Sequence, residues 1–203
     1  MTVKELYEKL SSPGFQDAEN GDLFYNFYLF QYPAENEYGI RKEIQEFKAN
    51  LIRPLNYVDV LVLNLFEEFC AFLDQKKFLN NPSMLGYLLK KEENDPAQAS
   101  NVQDTLTRNA HHEDFLKYID HRIQHHISQK DQYKRPYVFL HGIGSMFPYL
   151  RVNEFLALYE DYNQTDKYKI IVFYPGKREG NSFRLFGLLP DNHTYRATLL
   201  INE

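Results

Sequence analysis

A histidine and a serine follow an apolar run in the last third of the chain, and such a pair is the start of a nucleophilic site. His141 and Ser145 are four residues apart. A nucleophile elbow requires Gly-x-Ser-x-Gly, whereas the chain reads Gly142-Ile-Gly-Ser-Met146. The motif is incomplete, so we predict instead that Ser145 caps a following helix, and a hydrolase is the weakest functional hypothesis.

Two other side-chain types could support chemistry, but their surroundings argue against it. His121 and His125 are four apart on a predicted helix and would share one face. The stretch lacks the glutamate of His-Glu-x-x-His, and two ligands are only half of a zinc site. We therefore predict no metal and a solvated helix face. Cys70 is the single cysteine, which excludes an intramolecular disulfide and, among aromatic neighbours, indicates a buried structural thiol.

The glycines after the apolar runs do not form a phosphate-binding loop. A Walker A loop requires Gly-x4-Gly-Lys-Ser/Thr after a strand, and no segment has it. Gly142 and Gly144 begin a Gly-x-Gly, but Phe147 stands where the third glycine of a dinucleotide loop belongs. Their simpler role is to turn the chain into a helix with Pro148 in its first turn. Nucleotide or nucleic-acid binding by a degenerate domain stays as the alternative function.

The elements that must position these residues indicate an α/β fold. Tyr137–Gly144 and Lys169–Gly176 are apolar runs of strand length, and a helical segment at 148–162 lies between them. Such folds carry their sites in the loops at strand ends. We predict one domain over 1–203, with a mainly parallel central sheet flanked by helices and P-loop-like or Rossmann-like layering without a phosphate-binding loop. Further strands are predicted at 23–32, 57–64 and 196–202, and helices at 3–10, 37–51, 65–75, 82–91 and 105–126.

Composition limits the classes of function. The 203 residues are 43% hydrophobic and 16% aromatic, which is typical of a globular protein. The net charge of −5 argues mildly against a dedicated nucleic-acid binder. Residues 1–133 hold 14 Lys/Arg against 21 Asp/Glu, whereas 134–203 hold 9 against 7. The chain shows no signal-peptide core and no apolar run near the ~20 residues of a membrane span, so we expect a cytoplasmic protein.

Arginines and aromatics alternate in the last third of the chain. The exposed members predicted to contact a partner are Arg151, Tyr174, Lys177, Arg178, Arg184 and Arg196. Protein interfaces favour this combination, although it could also hold phosphates and stack bases. A third interpretation is that these residues cover the end of the sheet and pair with nearby carboxylates.

Several segments of the chain, in order, resemble the BrxB family of BREX bacteriophage-defence systems. They are Phe139–Arg151, Phe173–Gly180, Arg184–Gly187 and Tyr195–Ala197, together with Phe27–Pro33 followed by Glu37 and Arg41. The resemblance covers nearly the whole chain except a variable, predicted helical insert at about 90–135. His141-Gly142 departs from the family, where an arginine is expected before the loop glycine.

The resemblance implies a component of phage defence with no assigned reaction, no catalytic residues to transfer and no cofactor. It also implies a partner, the phosphatase-like PglZ protein of the same system. Other BREX components are further possible contacts, and any contact with DNA is expected to be indirect. We therefore predict a non-catalytic adaptor that binds the PglZ-like protein through the residues named above.

Overall fold

The computed structural model describes residues 3–16, 27–51, 59–129, 136–164, 167–179, 182–190 and 197–199. Its strands are β1 Phe27–Tyr32, β2 Val60–Asn64, β3 Tyr137–His141, β4 Lys169–Glu179, β5 Ser182–Leu185, β6 Leu189–Pro190 and β7 Ala197–Leu199. Its α-helices are α1 Val3–Ser11, α2 Pro13–Gln16, α3 Glu37–Leu51, α4 Leu65–Gln75, α5 Met84–Asn94, α6 Ala99–Ala110, α7 Glu113–Ser128 and α8 Val152–Tyr159. Short 3-10 turns lie at Ala34–Asn36, Pro96–Gln98, Ile143–Met146 and Glu160–Tyr162.

The described strands form a mixed sheet. Strands β2-β3-β4-β1-β7 pair in parallel in that order, while β5 pairs antiparallel with β4 and β6 pairs antiparallel with β5. The prediction of a mainly parallel sheet is therefore corrected. The reason is the length of β4, which continues for 11 residues to Glu179 and then folds back as a hairpin. Residues 177–179, predicted as part of a polar turn, belong to this strand.

The apolar runs are explained by burial on both faces of the sheet. Along β3, Val138 and Leu140 pack on the face covered by α4–α8, and Tyr137 and Phe139 pack on the face covered by α1–α3. A strand that buries both faces has no polar alternation, which is why the sequence reads as continuous apolar residues.

The connections leave the strands toward both faces of the sheet. From β1 the chain enters α3, whose Ile40 and Ile44 pack on one face. From β2 and β3 it enters α4 and α8, whose Phe69 and Phe155 pack on the opposite face. Strand β4, the neighbour of β1, continues instead into the hairpin with β5, so the hairpin lies beside the carboxyl end of β1.

Helix boundaries agree with the sequence in some segments and differ in others. The predicted helices at 37–51 and 65–75 coincide with α3 and α4. The predicted helix at 105–126 is two helices, α6 and α7, which are separated at His111 and His112. The predicted helix at 148–162 begins only at Val152, after the 3-10 turn Ile143–Met146, and its last residues form a second 3-10 turn.

In the described part of the chain, no helix has both the length and the apolarity needed to cross a membrane.

Candidate functional site

The hairpin of β4 and β5 extends beyond the carboxyl ends of the parallel strands and carries charges on its outer face. Lys177 lies directly opposite Arg184 in the register of the two strands. Glu179 lies between them, with its Oε1 2.7 Å from Lys177 Nζ and its Oε2 2.6 Å from Arg184 Nε. The hydrogen bond from Lys177, supported by the charge of Arg184, lowers the pKa of Glu179. The predicted cations are therefore organised around one carboxylate.

The inner face of the hairpin belongs to the core. Tyr174 is buried and meets the Phe183 ring edge-on, with 5.7 Å between the ring centroids. Its predicted exposure is therefore wrong, and its side chain does not reach the hairpin surface. A side chain at Gly176 would collide with the carbonyl oxygen of Arg184, so only glycine lets β5 approach β4 at this point.

The hairpin is fixed to the loop that follows β3. The Phe186 N–H donates to the Pro175 carbonyl oxygen at 2.8 Å. A Cβ atom on Gly144 would lie 2.9 Å from both the Phe186 ring and the Pro175 ring, so these rings occupy the space that a side chain would need. Segments recognised separately in the sequence thus contact one another. Their glycines and proline serve close packing at the sheet edge.

Arg151 supports the same arrangement from α8. It occupies the N-cap position of that helix, and its backbone N–H donates to Glu154 Oε2 at 2.8 Å. One guanidinium nitrogen donates to the Pro190 carbonyl oxygen at 2.8 Å, while the guanidinium lies over the Phe147 ring. Arg151 therefore ties β6 to the start of α8.

The other predicted contacts divide between the hairpin and the undescribed part of the chain. The Arg178 side chain is exposed, and the Arg178 backbone N–H donates to Gln31 Oε1 at 3.0 Å, which joins the hairpin to β1. Arg196 lies outside the described residues. The structure thus brings Lys177 and Arg184 together, places Arg178 opposite Phe183 on the other face of the hairpin, and places Arg151 at the neighbouring strand β6.

A pocket of about 390 Å³ opens in the crevice between the end of β1 and the hairpin. One wall comes from residues 31–35, and the other comes from Gly176, Lys177, Phe186 and Gly187. Sequence reasoning missed this pocket as a site. The signal available was limited to the motif segments Phe27–Pro33, Phe173–Gly180 and Arg184–Gly187, which all contribute to it.

A hydrogen-bonded set of side chains lies beside the pocket, at the start of α3. The Tyr32 hydroxyl donates to Glu37 Oε2, and Arg41 Nε donates to Glu37 Oε1 at 3.0 Å. Burial, assisted by the Glu37 carboxylate, raises the pKa of Tyr32. A carboxylate in the first turn of α3 already complements the positive end of the helix, where a phosphate would otherwise bind.

The predicted His141–Ser145 pair is not assembled for catalysis. His141 is 7% exposed, and its Nδ1 has no hydrogen-bond partner among the described residues, whereas Ser145 is exposed. Burial, with the nearby charge of Arg41, lowers the pKa of His141. The predicted capping by Ser145 is wrong, because Ser145 lies in the 3-10 turn Ile143–Met146 and Arg151 is the N-cap of α8.

The other histidines among the described residues have local partners. His121 and His125 are exposed and stacked, with 6.3 Å between their rings. His126 Nε2 binds the buried carboxylate of Asp59. His112 caps α7 by accepting from the Asp114 N–H. Over the ranges that the structure describes, no three His, Cys, Asp or Glu side chains are grouped to hold a metal.

Cys70 is half-buried on α4. Burial raises the pKa of its thiol. The thiolate, which is the reactive form, is therefore disfavoured, in agreement with a structural role.

Fold and site together define an α/β protein whose sheet edge carries an ordered charged hairpin beside a pocket. Residues 61–200 match the family model described as BrxB, BREX protein BrxB. A relative named BREX protein BrxB, from Bacillus cereus (strain H3081.97), is 24% identical over 206 residues, covering 99% of this chain and 96% of the relative. No solved structure matches. The chain belongs to the BrxB family and is a component of a BREX system.

Proposed function

We propose that this BREX component is a non-catalytic adaptor that binds the phosphatase-like PglZ protein of its own system. The observation that carries the proposal is the hairpin of β4 and β5 at the carboxyl edge of the sheet. On one face it presents Lys177 and Arg184 around Glu179, and the neighbouring Arg178, which lies opposite Phe183, is exposed as well. In a chain of net charge −5, this local excess of positive charge offers a distinct face to an acidic partner.

The turn after β5 adds apolar contact area to the same face. Leu188 is 74% exposed, and Phe186 is partly exposed beside it. Interfaces combine an apolar centre with a polar rim, and they are enriched in aromatic residues and arginine. The turn and the charged strands of the hairpin together have this composition.

The test is reversal of charge at Arg178 and Arg184. We expect Arg178→Glu with Arg184→Glu to weaken binding of the purified PglZ-like protein at least tenfold, which corresponds to about 1.4 kcal/mol. Binding is measured by titration calorimetry and by size exclusion with light scattering. Lys90→Glu, on the exposed face of α5, is the matched control and should bind as the parent does. A folded double variant with unchanged affinity would exclude this surface.

Degenerate nucleotide or nucleic-acid binding is the second candidate, because the pocket lies at the carboxyl end of the parallel strand β1, the side of the sheet on which α/β folds bind ligands. Glu35 on the wall of the pocket and Glu37 at the start of α3 oppose a phosphate there. Calorimetry with ATP, GTP and a short DNA duplex separates the two candidates. The second one fails if no heat appears and no salt-dependent DNA binding is detected.

A further inference from the structure

The pocket between the end of β1 and the hairpin has walls that are held by hydrogen bonds before any ligand arrives. On the hairpin side, the Phe186 and Gly187 N–H groups donate to the carbonyl oxygens of Pro175 and Arg184 at 2.8 and 3.1 Å. Across the crevice, the hairpin is joined to β1 through the hydrogen bond between the Arg178 N–H and Gln31 Oε1. Preformed walls reduce the entropy lost when a ligand binds, so this crevice is suited to recognition.

The lining of the pocket separates into apolar and charged parts. Pro33, Ala34 and Phe186 supply apolar surface from both walls, and Gly187 leaves room beside them. Gly187 has φ +71°, a backbone conformation that residues with a side chain rarely adopt, so the turn favours glycine here and the space beside it stays open. A volume of about 390 Å³ is at the small end of ligand pockets, which run from about 300 to 1,000 Å³. It is of a size for one anchoring side chain.

The charges at the mouth of the pocket favour one orientation of a bound ligand. Lys177 lines the hairpin wall, and Arg184 lies directly opposite it on β5. Glu35 is exposed on the opposite wall. A ligand with a carboxylate gains by placing it toward the hairpin and away from Glu35.

We propose that this pocket anchors a bulky apolar side chain from a segment of the PglZ-like partner, in which an aspartate or glutamate beside the anchor faces Lys177. This inference rests on the proposed adaptor function and specifies the chemistry of the contact. A few buried anchors carry most of the affinity in protein interfaces, and the surrounding charges fix orientation.

Filling the pocket tests the anchor. Ala34→Trp places an indole against the apolar lining and should weaken binding of the purified full-length PglZ-like protein at least tenfold. Leu89→Trp, at an exposed apolar position on α5, is the control and should leave the affinity unchanged. Circular dichroism and thermal unfolding show whether each variant is folded.

Charge variants at the mouth of the pocket test the orientation of the bound segment, and they change only exposed side chains. Lys177→Glu should weaken binding severalfold and flatten its salt dependence, and Glu35→Lys should strengthen it. The reverse pattern would indicate a basic occupant and overturn the inference. Parent-like affinity of a folded Ala34→Trp variant would also overturn it while leaving the adaptor function in place. Absence of binding by the unmodified chain would overturn both.

Discussion

The two ends of the parallel strands use polar residues in opposite ways. At the amino ends, Asp59, Tyr137 and Lys169 are buried. The Tyr137 hydroxyl donates to the Leu10 carbonyl oxygen at 2.7 Å, and Lys169 Nζ donates to the Phe15 carbonyl oxygen. Each of these contacts ties a strand to a helix far away in sequence. Because a buried polar group that loses its partner is costly, these residues contribute to stability.

At the carboxyl ends, the charged residues of β4 and β5 pair with one another in solvent. The side chains of Lys177, Glu179 and Arg184 are 58%, 43% and 39% exposed. Ion pairs in solvent contribute little to stability, so evolution can vary them for recognition at small cost to the fold. On this sheet, polar residues at the amino end therefore hold distant segments together, whereas those at the carboxyl end are free to vary, and that is the end that we propose contacts a partner.

The largest effect is expected from breaking a contact at the amino end. Asp59→Ala removes the carboxylate that binds His126 and leaves a polar ring in a largely buried position. We expect a loss of about 3 kcal/mol in the free energy of unfolding, measured by urea denaturation. Asp104→Ala, at an exposed position on α6, should change it by less than about 0.5 kcal/mol. If both substitutions lowered the free energy of unfolding equally, the buried polar contacts at the amino end would not be what stabilises the sheet.

A smaller effect is expected where the hairpin leaves the sheet. Gly176→Ala forces Cβ against the Arg184 backbone and should destabilise the protein by about 1–3 kcal/mol while weakening partner binding. Gly39→Ala is a matched control, because a Cβ atom there meets nothing within 4 Å. Because Gly39 lies in the first turn of α3, this alanine should raise the free energy of unfolding by at most about 0.5–1 kcal/mol, the gain typical of a helix interior. Changes of the same sign in both variants, measured by thermal unfolding, would contradict the close packing of the hairpin.

The difference between the two ends also decides what could be predicted from the sequence. Strands β3 and β4 were predicted because burial on both faces gives a continuous apolar run. The end of β4 was predicted as a turn, since residues 177–179 leave the core and are polar on both sides. Burial of Tyr174 could not be predicted, because its position next to Pro175 and Gly176 resembles an exposed loop.

The pocket illustrates a second limit of the sequence. Its walls come from residues 31–35 and from residues 176–177 and 186–187, which are far apart in the chain and meet only because β1 pairs with β4. No spacing rule within one segment reveals such a site. The cations of the hairpin were found by composition, because arginine and lysine interleaved with aromatics are visible in one short window.

The smallest effect concerns His141, which departs from the comparison because it is buried at the carboxyl end. Its pKa lies below the ordinary value of 6.5, through burial and then the charge of Arg41. The unfolded chain therefore binds a proton more readily than the folded chain does. The stability contributed by neutral His141 is present above pH 6.5 and is lost as the pH falls through the folded-state pKa.

Replacing His141 should therefore flatten the dependence of stability on pH. Between about pH 8 and pH 5.5, the range in which histidines titrate, His141→Gln should lose less of its free energy of unfolding than the parent chain does. Gln103→Ala, at an exposed position on α6 that carries no titratable group, should follow the parent. Parallel curves for His141→Gln and the parent would mean that His141 binds a proton equally well in the folded and the unfolded chain. Burial of His141 would then add nothing to the pH dependence of stability in this range.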